Sequence, residues 1–331
     1  MRAIEFVKLL NNSSRRFHLI GDLENGVIAA LDMEGRLFTV INDHVINRVL
    51  PEAVTNRSDK NGFQNPGGDA LWPAPEGTTL GYEYATGAWR VPPSISGAVW
   101  KVVSHTENSA VIRAEVDLIN NQQVGIPCEF ERQINIEIGK DRLVQNNTEI
   151  IRYIGKEMLT KEIFSLAPWS LCQFDAGVGD KVVAPLPSEE DVWDLYESSV
   201  SQRNVKNNYL FVNLQSDKKF QLAFTKNVGW IEFVSAKNIR VKRYAKQLPA
   251  GQRYIDIADV PPSQAATNKG VSLSVYCDPS GFMEIEACGG CPEILSPGTE
   301  MSVQIITEYV VSLAAQTKKE LLPTEMSEME K

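Results

Sequence analysis

Towards the C-terminal end of the chain, GFMEIEACGGCPEILSPGTE (Gly281 to Glu300) places two carboxylates one residue apart and then Cys288-x-x-Cys291 around a Gly-Gly. Two chemistries are open to such a stretch. Glutamates at alternate strand positions share one face about 7 Å apart, where burial and a like-charged neighbour raise the pKa of one towards that of a working acid or base. A Cys-x-x-Cys pair is reactive where a helix N-terminus or a cation lowers one thiol's pKa. Here Pro292 and PEILSPG follow, with no helical pattern. A zinc site would need two more ligands, and neither Cys128, Cys172 and Cys277 nor His18, His44 and His105 offer a second paired spacing. The thiols therefore read as a turn, and no metal or cofactor is expected. Glu284 and Glu286 are the candidate catalytic pair, the alternative being a solvated strand face.

A second group of candidates lies in GGDALWPAPEGTTLGYEYATGAWRVPPSISGAVW, which holds Trp72, Trp89 and Trp100 with Asp69, Glu76 and Arg90. Apolar faces of sugar rings pack on aromatic rings while carboxylates bind hydroxyls, so this composition suits a carbohydrate. The competing role is filling the mouth of the fold. SLAPWSLCQF adds Trp169 and Gln173, which share a face in a strand, with core packing of Trp169 as the alternative. Gly-x-Ser-x-Gly, P-loop, Rossmann and His-Glu-x-x-His patterns are absent, which disfavours the chemistries they carry.

The elements that must position these groups are strands. In AVIRAEVDL, Ile112, Ala114, Val116 and Leu118 oppose Arg113, Glu115 and Asp117; in EFERQINIEI, Phe130, Ile134, Ile136 and Ile138 share their side with one polar residue, Arg132. Similar runs recur at KFQLAFTK, WIEFVSA, IRVKRYA, VSLSVYCD, FMEIEA and MSVQIITEYVV, punctuated by NVG, LPAG, DPSG and LSPG. With no series of amphipathic helices between them, the chain is expected to be all-β, a large antiparallel sandwich rather than a βαβ fold. SEEDVWDLYESS reads as a short helix or a loop excursion. Residues 1–315 are expected to form a single domain, and 316–331 a poorly ordered charged tail.

Lys and Arg number 33 against 42 Asp and Glu, a formal charge of −9, and no basic stripe could support phosphate contacts. Nucleic acid is therefore not an expected partner. No run approaches the roughly 18 apolar residues of a membrane span, and MRAIEFVKLLNNSSRRF lacks the organisation of a secretory leader. Five cysteines, an odd set in a long chain, do not form a disulfide framework. A cytoplasmic location is expected, with the periplasm left open if a leader was removed before this numbering. Oligomeric state is not legible.

Taken in order, LENGVIAALDMEGRLFTVIND, GGDALWPAPE, WRVPP, APWSLCQ, TKNVGWIEF and FMEIEACGG...LSPGTE resemble a bacterial group, the DUF4380-like proteins of the galactose mutarotase-like (aldose 1-epimerase-like) superfamily. The resemblance covers roughly residues 20–312. It implies a β-supersandwich, two large antiparallel sheets whose concave face and loops bind a sugar. It also implies that Glu284 stands where mutarotases carry the base that removes the anomeric hydroxyl proton, with Glu286 in place of a glutamine. The acid histidine of mutarotases has no counterpart: APWSLCQF offers Trp169 and Gln173 there, and Asp69 stands where relatives often carry a histidine.

The resulting expectation is a carbohydrate-binding protein acting as an aldose mutarotase or epimerase on a free sugar. Glu284 is the base and Glu286 its pKa-tuning or hydroxyl-binding partner. Trp72 and Trp169 stack on the ring, and Asp69, Glu76, Gln173 and Lys226 contact hydroxyls, Asp69 or Glu76 also being available as the missing acid. Recognition without turnover is the alternative. A glycoside hydrolase ranks last, because it needs a second carboxyl across the cleft.

Overall fold

The computed structural model describes residues 1–58, 62–82, 91–195, 197–215, 218–257, 261, 263–265 and 269–312. The expected strand runs assemble into two ten-stranded antiparallel sheets. The first runs Phe17–Gly21, Gly26–Ala30, Arg36–Ile41, Asp69–Ala74, Ala167–Asp175, Phe282–Cys288, Leu273–Asp278, Phe220–Phe224 and Val192–Asp194, with His44–Val45 attached to Arg36–Ile41. The second is centred on Ile239–Ala245, Glu300–Val311, Arg142–Tyr153 and Gly125–Gly139. The all-β, two-sheet expectation holds.

Alternation works as expected in the second sheet, where Ile112, Ala114, Val116 and Leu118 point into the core between the sheets. The first sheet differs, because its central strands are buried on both faces. Every residue of Asp69–Ala74 is buried, as is every residue from Met283 to Cys288. At one end of this sheet the outer face is covered by a helix that the strand reading does not include, Ala3–Asn12. Ala3, Phe6 and Leu10 recur at helical spacing and pack on Ile28, Ala30, Phe38, Val40 and Val54. Ile28, Phe38 and Val40 point away from the inter-sheet core, which takes Val27, Ala29, Leu37 and Ile41 from the same strands. The helix thus covers one end of the first sheet's outer face.

SEEDVWDLYESS resolves into a 3-10 turn, Glu189–Asp191, and the edge strand Val192–Asp194. Trp100 is a core residue, its ring closing on Gly35, where a Cβ would lie 2.5 Å from the indole. Trp89, Arg90 and the tail 316–331 lie outside the described residues. No helix among the described residues is long and apolar enough to cross a membrane.

The core also contains charge. Arg132, the one polar residue on its strand's apolar side, is fully buried and donates to Glu149 at 2.7 and 2.9 Å and to Asp69 Oδ1 at 3.1 Å. Arg243 reaches the same aspartate, donating to Oδ2 at 3.1 Å, and donates to Ser170 Oγ. Two guanidinium and two carboxylate groups therefore meet between the sheets, the arrangement that makes buried charge tolerable.

Candidate functional site

Register brings the chemistry to the middle of the first sheet. Glu284 lies opposite Gln173 on one side and Tyr276 on the other; Glu286 lies opposite Leu171 and Ser274. Trp169 is paired with Trp72 on the next strand. Since directly opposed residues share a face, Glu284, Glu286, Gln173, Trp169, Trp72, Ser274 and Tyr276 all project from the outer face, away from the second sheet.

The two carboxyls have different surroundings. Glu286 has no exposed surface. It accepts hydrogen bonds from Trp169 Nε1 at 3.0 Å and from Gln221 Nε2 at 2.9 Å, and the same amide nitrogen also donates to Ser274 Oγ at 3.0 Å. Glu284 keeps 6% of its surface exposed and accepts from Gln173 Nε2 at 2.6 Å. The two carboxyls are close enough to act on each other's protonation.

Burial pushes both carboxyls above the ordinary range. For Glu284 the Glu286 charge adds to burial, and Gln173 and the charge of Arg36 only partly oppose it. For Glu286 the same burial is opposed by the hydrogen bonds of Glu284, Ser274, Trp169 and Gln221, leaving it at about 7. Donors to a carboxylate favour its ionised form, so of the two Glu284 keeps its proton the more firmly.

Trp72 and Trp169 meet edge to face, 6.4 Å between ring centroids. The Trp72 indole donates to Glu34 Oε2 at 3.3 Å, and the same carboxylate takes the Arg36 guanidinium at 2.8 Å. Arg36 lies 5.9 Å from the Trp72 ring. An aromatic pair, a cation and a protonated dyad thus form a continuous strip across four neighbouring strands.

Of the residues singled out in the sequence, Glu284, Glu286, Trp72, Trp169 and Gln173 come together here. Asp69 does not. It alternates with Ala70 and Trp72 and so points between the sheets, where two guanidiniums hold its carboxyl below the ordinary range against the effect of burial. The expectation that Asp69 contacts a sugar or serves as the missing acid does not fit that placement. Glu76 follows the Trp72 strand and accepts the Tyr82 hydroxyl at 2.8 Å. Lys226 stands in the turn after Phe220–Phe224 and lines a separate cavity.

Cys288 ends the glutamate strand and Cys291 lies in the short strand Gly290–Pro292; both are buried, unpaired thiols whose pKa burial raises. The Gly-Gly between them permits close approach, a Cβ on Gly289 falling 2.5 Å from Pro168. Among the described residues, no three His, Cys, Asp or Glu side chains are grouped as metal ligands. His18 and His105 pair edge to face at 4.9 Å, on strands remote from the glutamates.

Gln221, Ser274, Tyr276 and Arg36 were not singled out in the sequence. The signal for Gln221 is a polar residue inside the apolar run FQLAF, and for Ser274 and Tyr276 their alternation with Val275 and Cys277. Nothing in the sequence pairs Arg36 with Trp72.

Residues 28–229 match the family described as "Family of unknown function (DUF6786)", so the DUF4380 group drawn from motif order is not the one matched. No curated protein sequence matches the chain. Among solved structures, the chain is similar to the Slr1438 protein of Synechocystis sp. PCC 6803, with 13% identity, a TM-score of 0.56 and coverage of 90% of this chain and 96% of that one. It is also similar to a galactose mutarotase-like protein of Lactobacillus casei ATCC 334, with 14% identity, a TM-score of 0.52 and coverage of 89% and 100%. At such identities the likeness is one of fold: two large antiparallel sheets in the galactose mutarotase-like arrangement.

Proposed function

The chain belongs to DUF6786, a family of unknown function, and we propose that it binds a free sugar on the outer face of its first sheet and interconverts the anomers, with Glu284 and Glu286 as the proton-transferring pair. The observation that carries this reading is the buried, hydrogen-bonded carboxyl pair framed by Trp72, Trp169 and Gln173 on one face. The galactose mutarotase-like fold supports the substrate class.

Opening a pyranose requires a proton delivered to the ring oxygen and another removed from the anomeric hydroxyl as the bond between the anomeric carbon and the ring oxygen breaks. Closure on the other face reverses both transfers, so the enzyme ends with the proton it began with. A carboxyl that keeps its proton at neutral pH can serve as the acid, which answers the absence of a histidine. Glu284, the more exposed of the two, donates, so it takes the role of acid in place of the base role expected from the sequence. Glu286, whose ionised form the Trp169 and Gln221 donors favour, receives the balancing proton through Glu284. Gln173 Oε1 is buried and has no hydrogen-bond partner among the described residues, an acceptor that a ring hydroxyl would satisfy.

Exchange between α and β anomers across a panel of aldoses, followed by NMR for wild type, Glu284→Gln and Glu286→Gln, tests the proposal. Accelerated exchange that falls by about 100-fold or more in Glu284→Gln is the expected result. Recognition without turnover is the second reading, favoured by the depth of Glu286. It would appear as saturation transfer to a sugar with no acceleration by wild type. Hydrolysis loses support because Asp69 and Glu76 are engaged elsewhere.

A further inference from the structure

A cavity of about 710 Å³, lined by Thr225, Lys226, Asn227, Tyr254, Lys269 and Ser272 among others, opens beyond the glutamates on the same sheet. Register fixes its place. Ser274 lies opposite Glu286, and Ser272, two residues earlier, accepts the Cys288 N–H through its carbonyl. Cys288 in turn lies opposite Trp169. A two-residue step along a strand is about 7 Å, so the cavity begins roughly one sugar ring away from Glu286, at the level of Trp169.

Among the described residues its lining is positively charged, in a chain of formal charge −9: it includes Lys226, Arg253 and Lys269 and no Asp or Glu. Arg253 is partly engaged, 3.5 Å from Glu293. The lysine ion pairs among the described residues are Lys161–Glu293 and Lys218–Glu197, which leaves Lys226 and Lys269 without a described carboxylate partner. The turn that carries Lys226 is anchored, and the Lys269 ammonium lies near an aromatic ring. On either side of Lys226, Thr225 Oγ1 and Asn227 Nδ2 donate to the buried Asp191, the latter at 2.9 Å, and the Thr225 N–H donates to the Asp191 carbonyl at 3.1 Å. The Lys269 ammonium lies 5.0 Å from the centre of the Trp193 ring.

From this geometry we infer that the sugar carries an anionic substituent, a phosphate or a carboxylate, at the end of the ring away from the anomeric carbon, received by Lys226 and Lys269. The inference rests on the sugar-binding reading above. With the anomeric carbon at the paired carboxyls of Glu284 and Glu286, a ring directed from Glu286 towards the Trp169 level carries its far substituent to this cavity. There two ammonium groups supply the charge, and the Tyr254 and Ser272 hydroxyls supply hydrogen bonds.

Dissociation constants for glucose, glucuronate and glucose 6-phosphate, measured by calorimetry at low ionic strength with inorganic phosphate as competitor, test it. Wild type, Glu284→Gln and the double variant Lys226→Met, Lys269→Met are compared. The expected result is at least ten-fold tighter binding of one charged sugar than of glucose, with the preferred sugar identifying phosphate or carboxylate. Glu284→Gln keeps that preference, and the double variant loses it. Both lysines are exposed, so an unchanged melting temperature verifies that the double variant is folded. Equal binding of neutral and charged sugars by wild type, or a preference that survives in the double variant, overturns the inference and leaves sugar binding standing. Failure of every sugar to bind overturns both.

Discussion

Two carboxyls can lie side by side without water only if one keeps its proton, and this sets how Glu284 and Glu286 couple to pH. Burial raises the folded-state pKa of Glu286 from 4.5 to about 7, and that of Glu284 well above its ordinary value. A raised pKa means that the folded chain binds the proton more tightly than the unfolded chain. The contribution to stability is therefore complete below the unfolded value and is lost as pH rises through the folded one. For Glu286 the loss is on the order of 3 kcal/mol between about pH 5 and pH 8. Glu286→Gln removes this titration while keeping the shape. Urea unfolding of both proteins at pH 5.5 and 8.5 should show wild type losing stability relative to the variant by about 2–3 kcal/mol at the higher pH; an equal gap at the two pH values would mean that the carboxyl is hydrated. In the proposed reaction the same titration would act on the rate, because anomer exchange by that route needs the Glu284 proton and should fall as pH rises through the upper apparent pKa of the pair.

At the scale of the strand, hydropathy decides less than alternation does. FMEIEA alternates cleanly, so the common face of Glu284 and Glu286 is readable from the letters alone, as is that of Trp169 and Gln173. DALWPA alternates too, but a strand buried on both faces gives hydropathy no side to choose, and Asp69 is therefore easily taken for a residue on the Trp72 face. The missing information is carried by Arg132 on a distant strand. A guanidinium on an otherwise apolar side must find an anion in the core, and Asp69 is one of two that it finds. Its removal is correspondingly costly. Asp69→Ala leaves Arg132 and Arg243 sharing only Glu149 between the sheets, and a loss of about 3–5 kcal/mol in chemical denaturation at pH 7 is expected. Because the Asp69 pKa is depressed, its contribution is present above the ordinary value of 3.8 and is lost as pH falls through the folded one. The gap between wild type and Asp69→Asn should therefore narrow in strong acid. A cost below about 1 kcal/mol at pH 7 would mean that water reaches the two arginines.

Across the whole molecule, the outer face of the first sheet has two differently finished ends with the carboxyl pair between them. At one end the helix Ala3–Asn12 lays Phe6 against Phe38, ring centroids 4.6 Å apart, and closes a small apolar core that the inter-sheet core does not share. At the other, the sheet gives way to the lysine-lined cavity. The helix packs on strands Gly26–Ala30 and Arg36–Ile41, whereas Glu284 lies three strands along from Arg36–Ile41, past the strands of Trp72 and Trp169. Its part in this arrangement is then to cover apolar surface. Phe6→Ala empties the centre of the small core and should cost about 3–5 kcal/mol of stability. Measured well below the melting temperature of the variant, anomer exchange should keep its wild-type kcat/KM, since none of the groups that donate to the carboxyls rests on that helix. A fall of ten-fold or more with the fold intact would place the helix in the sugar site, and the site would then extend along the sheet to Arg36 and Glu34 rather than end at Trp72.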